Sequence, residues 1–93
     1  MKKRPFVVVR TYSAGVHVGT LKSRKGREVV LSNAKRIWRW FGANTLHEIA
    51  LRGVGSQSKV SEAVAEITLT EAIEVIVATS EAAKNLARAT WAK

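Results

Sequence analysis

The sequence predicts a small α+β fold, in which about five to six strands form an antiparallel sheet and two short α-helices accompany it. Three observations support this prediction. β-Branched residues are frequent through much of residues 6–31, turn-forming residues interrupt them at short intervals, and helix-start signals occur mid-chain and near residue 80. The chain has 93 residues, a length that fits a single domain spanning 1–93.

Four strands are predicted in the N-terminal half. The turns between them contain glycine or the pair Ser32-Asn33, and short strands separated by such turns are typical of an antiparallel meander. The predicted strands are 6–11, 16–21, 27–31 and 37–41.

A short helix is predicted over about 45–52. Thr45 and Glu48 have the spacing of a capping box, in which the hydroxyl accepts a hydrogen bond from a free backbone N–H and the carboxylate reaches back. Gly53 is expected to end this helix, because glycine adopts the left-handed conformation without a steric penalty.

The C-terminal part is predicted to contain a strand over 59–64, a longer strand over 67–77 with a bend at 71–72, and a helix over about 80–91. A helix over 61–77 is the alternative, but the density of β-branched residues favours the strand. Ser80 is the expected N-cap of the last helix. Trp91 is expected to pack back onto the protein or to lie at a contact between subunits.

The basic residues are concentrated in the first half of the chain. Residues 1–52 contain 12 Lys or Arg and 2 Glu, whereas residues 53–93 contain 4 and 5, and the net charge is +9. Such an uneven distribution favours a polyanionic partner, which includes a phosphate-bearing small ligand and nucleic acid. The alternative is that the charge only keeps a small protein soluble.

The composition argues against several classes of function. The chain has no Cys and no Asp, which excludes disulfides, thiolate metal sites and a Ser-His-Asp triad. It also lacks a glycine-rich phosphate loop. We therefore expect no enzyme activity, no metal and no cofactor.

Location and assembly follow from length and hydropathy. The first apolar run ends at Arg10, whereas a secretory core needs roughly 7–15 apolar residues. No stretch is apolar for long enough to span a membrane, so a cytoplasmic protein is expected. Because a chain this short buries little core of its own, a homo-oligomer is also expected.

The segment 33–41 provides the first candidate binding residues, Arg36, Trp38 and Trp40. Guanidinium groups grip phosphates and indole rings stack on bases, so the interleaving of these groups is typical of a nucleotide site. The alternative is that the tryptophans anchor the core.

A second cluster of candidates follows the first predicted strand. Strand ends and turns often contain binding residues, and this cluster comprises Arg10, Tyr12, Ser13 and the nearby His17. A plain solvated turn is the alternative. The basic turn at 22–27 is expected to be solvated and to steer anions without contacting them specifically.

Three motifs resemble those of a family of short phage-encoded proteins of unknown function. They are VRTYSAGVH at 9–17, NAKRIWxW at 33–40 and EIxLTEAIE at 66–74. A looser resemblance is to viral sponge proteins, which are small oligomers that hold the cyclic nucleotide signals of bacterial anti-phage defence. The resemblance implies that Arg10 and Arg36 hold phosphates. It also implies roles in stacking or hydrogen bonding for Tyr12, Trp38, Trp40, Ser13 and His17.

The first functional expectation is therefore non-enzymatic sequestration of a cyclic (oligo)nucleotide, which counteracts immunity in the cytoplasm of an infected bacterium. A DNA- or RNA-binding module that uses the basic N-terminal half is the alternative. The third possibility is a phage structural or protein-interaction subunit.

Overall fold

In the part of the chain that the structure describes, one antiparallel sheet of six strands and two helices form the fold, so the predicted α+β class is confirmed. The computed structural model describes residues 4–55 and 57–89. In chain order the elements are β1 (Phe6–Thr11), β2 (Val16–Lys25), β3 (Glu28–Arg39), α1 (Leu46–Arg52), β4 (Lys59–Val60), β5 (Val64–Leu69), β6 (Ala72–Val77) and α2 (Ser80–Arg88).

The sheet curls until its two ends meet. Its order is β4-β3-β2-β1-β6, and β5 pairs with β3. Since β5 and β6 are separated only by Thr70 and Glu71, yet pair with strands on different sides of the sheet, the sheet must bend round to join them. Two backbone hydrogen bonds fasten this junction: the Tyr12 N–H donates to Glu71 O at 2.9 Å, and the Ala72 N–H donates to Arg27 O at 3.0 Å.

Irregularities in the β2–β3 pair provide the curvature. The register shifts between Val18 and Thr20 and again beyond Leu21, and such bulges bend a strand and increase its twist. Asn33 has a φ of 49° within β3. The Ser32-Asn33 pair therefore forms an irregularity inside one long strand, and the predicted break between strands 27–31 and 37–41 was wrong.

The middle of the sheet is buried on both faces. One core lies between the sheet and the helices and the other lies inside the curl, and successive residues of β1 contribute to them in turn. A strand buried on both faces is a continuous apolar run, which explains why Val7, Val8 and Val9 are all fully buried. The helix-side core contains Val8, Val18, Ile37, Ile49, Ala50, Val54, Val60 and Leu86. The inner core contains Val7, Val9, Val29, Leu31, Ala34 and Leu69.

The mid-chain helix begins and ends where the sequence predicts. The Glu48 N–H donates to the Thr45 hydroxyl at 3.3 Å, and Gly53 follows the last turn with a φ of 85°. The Glu48 carboxylate accepts from the Asn44 N–H at 3.2 Å, one residue before the position that an ideal capping box uses. This bond is the largest cause of a lowered pKa of Glu48.

Thr79, not Ser80, is the N-cap of α2. Its hydroxyl accepts from the Ala82 N–H at 3.1 Å and donates to Leu51 O at 2.7 Å, which ties the start of α2 to α1. The helix ends at Arg88. Trp91, which the sequence analysis assigned to packing or to a subunit contact, lies outside the described residues.

Residues 59–77 form three strands. The predicted strand 59–64 is reduced to β4, and residue 64 already belongs to β5. The predicted strand 67–77 is interrupted at 70–71, one residue before the predicted bend at 71–72, and this break separates β5 from β6. The alternative helix over 61–77 is not formed. The longer of the two helices, α2, has nine residues, and no helix in the described part of the chain is long and apolar enough to cross a membrane.

Candidate functional site

Three distant segments of the chain line one groove where the curled sheet closes. They are the turn after β1, the tip of the β2–β3 hairpin and the β5–β6 turn. The groove has a volume of about 700 Å³ and is lined by Tyr12, Arg24, Gly26, Arg27, Glu71, Ala72 and Ile73. We call it the tyrosine groove.

Tyr12 presents its ring to solvent from a fixed backbone. The residue is 78% exposed, while its N–H is held by Glu71 O. The next residue, Ser13, donates its hydroxyl to the Glu71 carboxylate. The buried Thr11 hydroxyl donates to Gly15 O at 2.7 Å, which closes the turn from the other side. A ligand that covers the ring therefore meets a surface whose backbone is already ordered.

Arg24 and Arg27 place two positive charges on the groove. Both residues are exposed and stand on either side of the hairpin tip, where Gly26 takes a φ of 59°. Guanidinium groups stay protonated in proteins and donate to phosphate through a planar fork. The local sequence pattern predicts only a solvated turn here, because it does not show that the sheet brings this turn to Tyr12.

A second, smaller groove lies at the other predicted cluster. It has a volume of about 270 Å³ and is lined by His17, Ala34, Lys35, Arg36, Ser61, Val64 and Ile67. His17 and Arg36 are direct cross-strand partners in the β2–β3 pair, so the structure brings together two residues that the sequence analysis placed in different clusters. We call this surface the histidine groove.

His17 is buried, and its surroundings favour the neutral imidazole. The side chain is 2% exposed, and its Nε2 lies 2.9 Å from Ala14 O. Burial lowers the pKa of the His17 imidazole, the bond to Ala14 raises it in part, and the charge of Arg36 lowers it further. A carbonyl oxygen only accepts, so Nε2 bears the proton and donates.

The remaining predicted residues line neither groove. Arg10 forms an ion pair with Glu74 at 3.7 Å. Trp40 is half-buried and packs against the helix-side core, as the core alternative expected for it. Trp38 is 59% exposed, and the Lys59 ammonium lies 5.7 Å from the centre of its ring. The seven candidates are therefore distributed over several surfaces.

Within residues 4–55 and 57–89, no three His or Glu side chains come together in a group that could hold a metal ion.

The chain belongs to the family described as "Domain of unknown function (DUF6948)", whose model matches residues 4–86. This match includes every residue that lines the two grooves. No curated protein and no solved structure matches the chain.

Proposed function

We propose that this DUF6948 protein binds a phosphate-bearing nucleotide in the tyrosine groove and holds it without changing it chemically. The ligand we expect is a cyclic (oligo)nucleotide signal, and the role is its sequestration from bacterial anti-phage defence. The resemblance of the three sequence motifs to phage-encoded proteins, and the looser resemblance to sponge proteins, supports this choice of ligand and role.

The proposal rests on one observation, the convergence of Tyr12, Arg24 and Arg27 from separate segments onto one groove. An aromatic face stacks on a base and contributes about 1–3 kcal/mol per base, while each arginine is suited to one phosphate. Ile73, which is 51% exposed at the same groove, adds an apolar contact. The groove volume of about 700 Å³ falls within the range of about 300–1,000 Å³ that small-molecule sites occupy.

The groups around the groove favour holding a ligand over converting it. General acid–base catalysis requires a group that is placed to take or give a proton. Among the residues that the structure describes, the lining contributes one carboxylate, that of Glu71, and this group already accepts a hydrogen bond from the Ser13 hydroxyl. Its bonds to the turn after β1 make Glu71 a positioning residue for Tyr12.

Binding is tested by isothermal titration of cyclic di- and trinucleotides into the protein and two groove variants. Charge-assisted hydrogen bonds contribute about 1.5–3 kcal/mol, so Arg24→Gln and Arg27→Gln are each expected to weaken binding at least about 10-fold. Lys25→Gln is the matched control, because it removes one charge from the same exposed hairpin tip without touching the groove lining. The control is expected to change affinity less than 3-fold at moderate salt.

The same titrations contain the outcomes that overturn the proposal. Equal losses in Arg24→Gln, Arg27→Gln and Lys25→Gln would show that net charge, not the groove, determines binding. The absence of binding by any cyclic nucleotide would remove this class of ligand. Chromatography of the released ligand is expected to return it intact, and recovery of a product would refute the non-enzymatic role.

A DNA- or RNA-binding surface is the second candidate, and the exposed hairpin tip favours it. Residues 22–28 are all exposed, and four of them are Lys or Arg. Binding to a polyanion releases counterions, so affinity for DNA or RNA would fall steeply with salt. A small ligand with two phosphates would show a shallower slope, and short single- and double-stranded oligonucleotides therefore belong in the same series of titrations.

A further inference from the structure

The second nitrogen of the buried His17 ring is free to accept a hydrogen bond from a ligand. Nε2 donates to Ala14 O, which leaves Nδ1 of the neutral ring with a free lone pair. Among the described residues, no buried side-chain nitrogen or oxygen lacks a hydrogen-bond partner. Nδ1 has no partner among these residues, so it must be accessible, and His17 is a lining residue of the groove.

The groove combines this acceptor with one available positive charge. Arg36 is exposed, lies directly across from His17 and forms no ion pair with the described residues. The Lys35 ammonium is already used, because it donates to backbone carbonyls of α2. Within the described part of the chain, the lining of this groove contains no carboxylate. Because the walls of the groove have a low dielectric constant, the Arg36 guanidinium gives the groove a positive potential.

Backbone contacts hold the polar wall of the groove in place. The Ser61 hydroxyl accepts from the Arg36 N–H at 2.8 Å and donates to Glu62 O at 3.1 Å. The Ser61 N–H in turn donates to Arg36 O at 2.9 Å. The base of the Arg36 side chain is therefore fixed, and a ligand orders mainly the guanidinium end of that side chain.

We propose that the histidine groove is a second binding site. Its ligand is a small anion with a hydroxyl group near its charge, such as a sugar phosphate. Arg36 holds the phosphate, and His17 Nδ1 accepts a hydrogen bond from the hydroxyl. The volume of about 270 Å³ lies just below the usual range of about 300–1,000 Å³, which suits one sugar ring with its phosphate. The apolar wall that Val64 and Ile67 provide suits the carbon face of such a ring.

This site is separate from the one proposed above. The histidine groove and the tyrosine groove share no lining residue. Tyr12→Ala is therefore expected to leave binding in the histidine groove unchanged, and failure of one site does not decide the other.

The experiment is an NMR titration of the full-length protein with ribose 5-phosphate, inorganic phosphate and ribose as the three probes. Ribose 5-phosphate is expected to bind at least about 10-fold more tightly than either fragment and to shift the amide signals of His17 and Arg36. Arg36→Gln is expected to weaken that binding at least about 10-fold, since a hydrogen bond to a charged group is lost. Arg39→Gln, an exposed arginine on the same strand outside the groove, is the matched control.

A second measurement tests the acceptor directly. The ¹⁵N shifts of the imidazole are expected to show the Nε2–H tautomer in the free protein and a shift of Nδ1 on adding ribose 5-phosphate. An Nδ1–H tautomer, or equal affinity for inorganic phosphate and ribose 5-phosphate, would overturn the role of His17. Unchanged affinity in Arg36→Gln would overturn the site itself. His17→Phe adds a binding test if it folds, and the two readouts above do not depend on it.

Discussion

Asn85→Ala is expected to destabilise the protein strongly, because one side chain satisfies two buried backbone groups. The Val54 N–H donates to Asn85 Oδ1 at 2.8 Å, and Asn85 Nδ2 donates to Val54 O at 3.0 Å. This pair ties α2 to the chain that follows α1. Val54 is only 7% exposed, so water cannot readily replace the amide when it is removed.

The expected loss is about 2–3 kcal/mol of unfolding free energy. Two hydrogen bonds contribute about 1 kcal/mol each, and leaving a buried donor and acceptor unpaired adds about 1 kcal/mol more. Alanine is the better helix former and returns about 0.5 kcal/mol. In a domain of this size each kcal/mol lowers Tm by about 4–8 °C, so a decrease of roughly 10–20 °C is expected.

Urea unfolding followed by tryptophan fluorescence measures this loss, because the half-buried Trp40 changes environment on unfolding. The m-value is expected to stay constant while the midpoint falls. Lys84→Ala, an exposed neighbour on the same helix, is the control and is expected to cost less than about 0.5 kcal/mol. A loss below about 1 kcal/mol in Asn85→Ala would refute the reasoning, since it would mean that the Val54 groups find other partners.

Three further predictions concern stability. Lys35→Met keeps the aliphatic stem but removes an ammonium that donates to three carbonyls at the C-terminal end of α2, at 2.8–3.2 Å; urea unfolding is expected to show a loss of about 2 kcal/mol. Gly53→Ala is expected to lower the free energy of unfolding by about 2–4 kcal/mol, because φ is 85° and a Cβ would lie 2.2 Å from Asn85 Oδ1. In an Asn85→Ala background this loss is expected to be smaller by at least about 1 kcal/mol. An unchanged loss would exclude the clash. The free energy of unfolding is expected to fall as pH drops below about 6.5. The pKa of His17 is lowered in the folded state, so in this range the unfolded chain binds a proton more readily than the folded chain does. His17→Gln is expected to remove this dependence of the unfolding free energy on pH. The lowered pKa of Glu48 affects stability only below about pH 4.5, so it does not contribute in this range.

Local sequence patterns predicted the helices and strands well where interactions between neighbouring residues determine them. The β-branched run of β1 and the cap at Thr45 correspond to the observed strand and helix. Predictions were wrong where a contact between distant residues determines the local structure. Ser32-Asn33 is turn-like in composition, but pairing with both β2 and β5 keeps β3 continuous through it. Thr79 replaces Ser80 as the N-cap because its hydroxyl also bonds to α1.

The candidate site was predictable only in part, because its geometry depends on closure of the sheet. Tyr12 is at the end of β1, and Arg24 and Arg27 lie on a hairpin whose strands run past the other end of β1. In a flat sheet these residues would be far apart. They meet because β5 and β6, with only two residues between them, pair with β3 and β1 and draw the tip and the turn together. A single-sequence pattern contains the strands but not this closure.

The closure also decides which cations remain available to an anion. The β5–β6 segment contains three of the five glutamates of residues 53–93 and folds back onto the basic half. Glu66 pairs with Lys22, Glu74 pairs with Arg10 and Glu71 accepts from Ser13. Among the described residues, three exposed arginines of β2, β3 and the turn between them have no carboxylate within ion-pair distance and also line a groove: Arg24, Arg27 and Arg36. Charge-assisted hydrogen bonds to phosphate come from cations, so the binding proposed for this protein is assigned to the two grooves, where these three arginines lie.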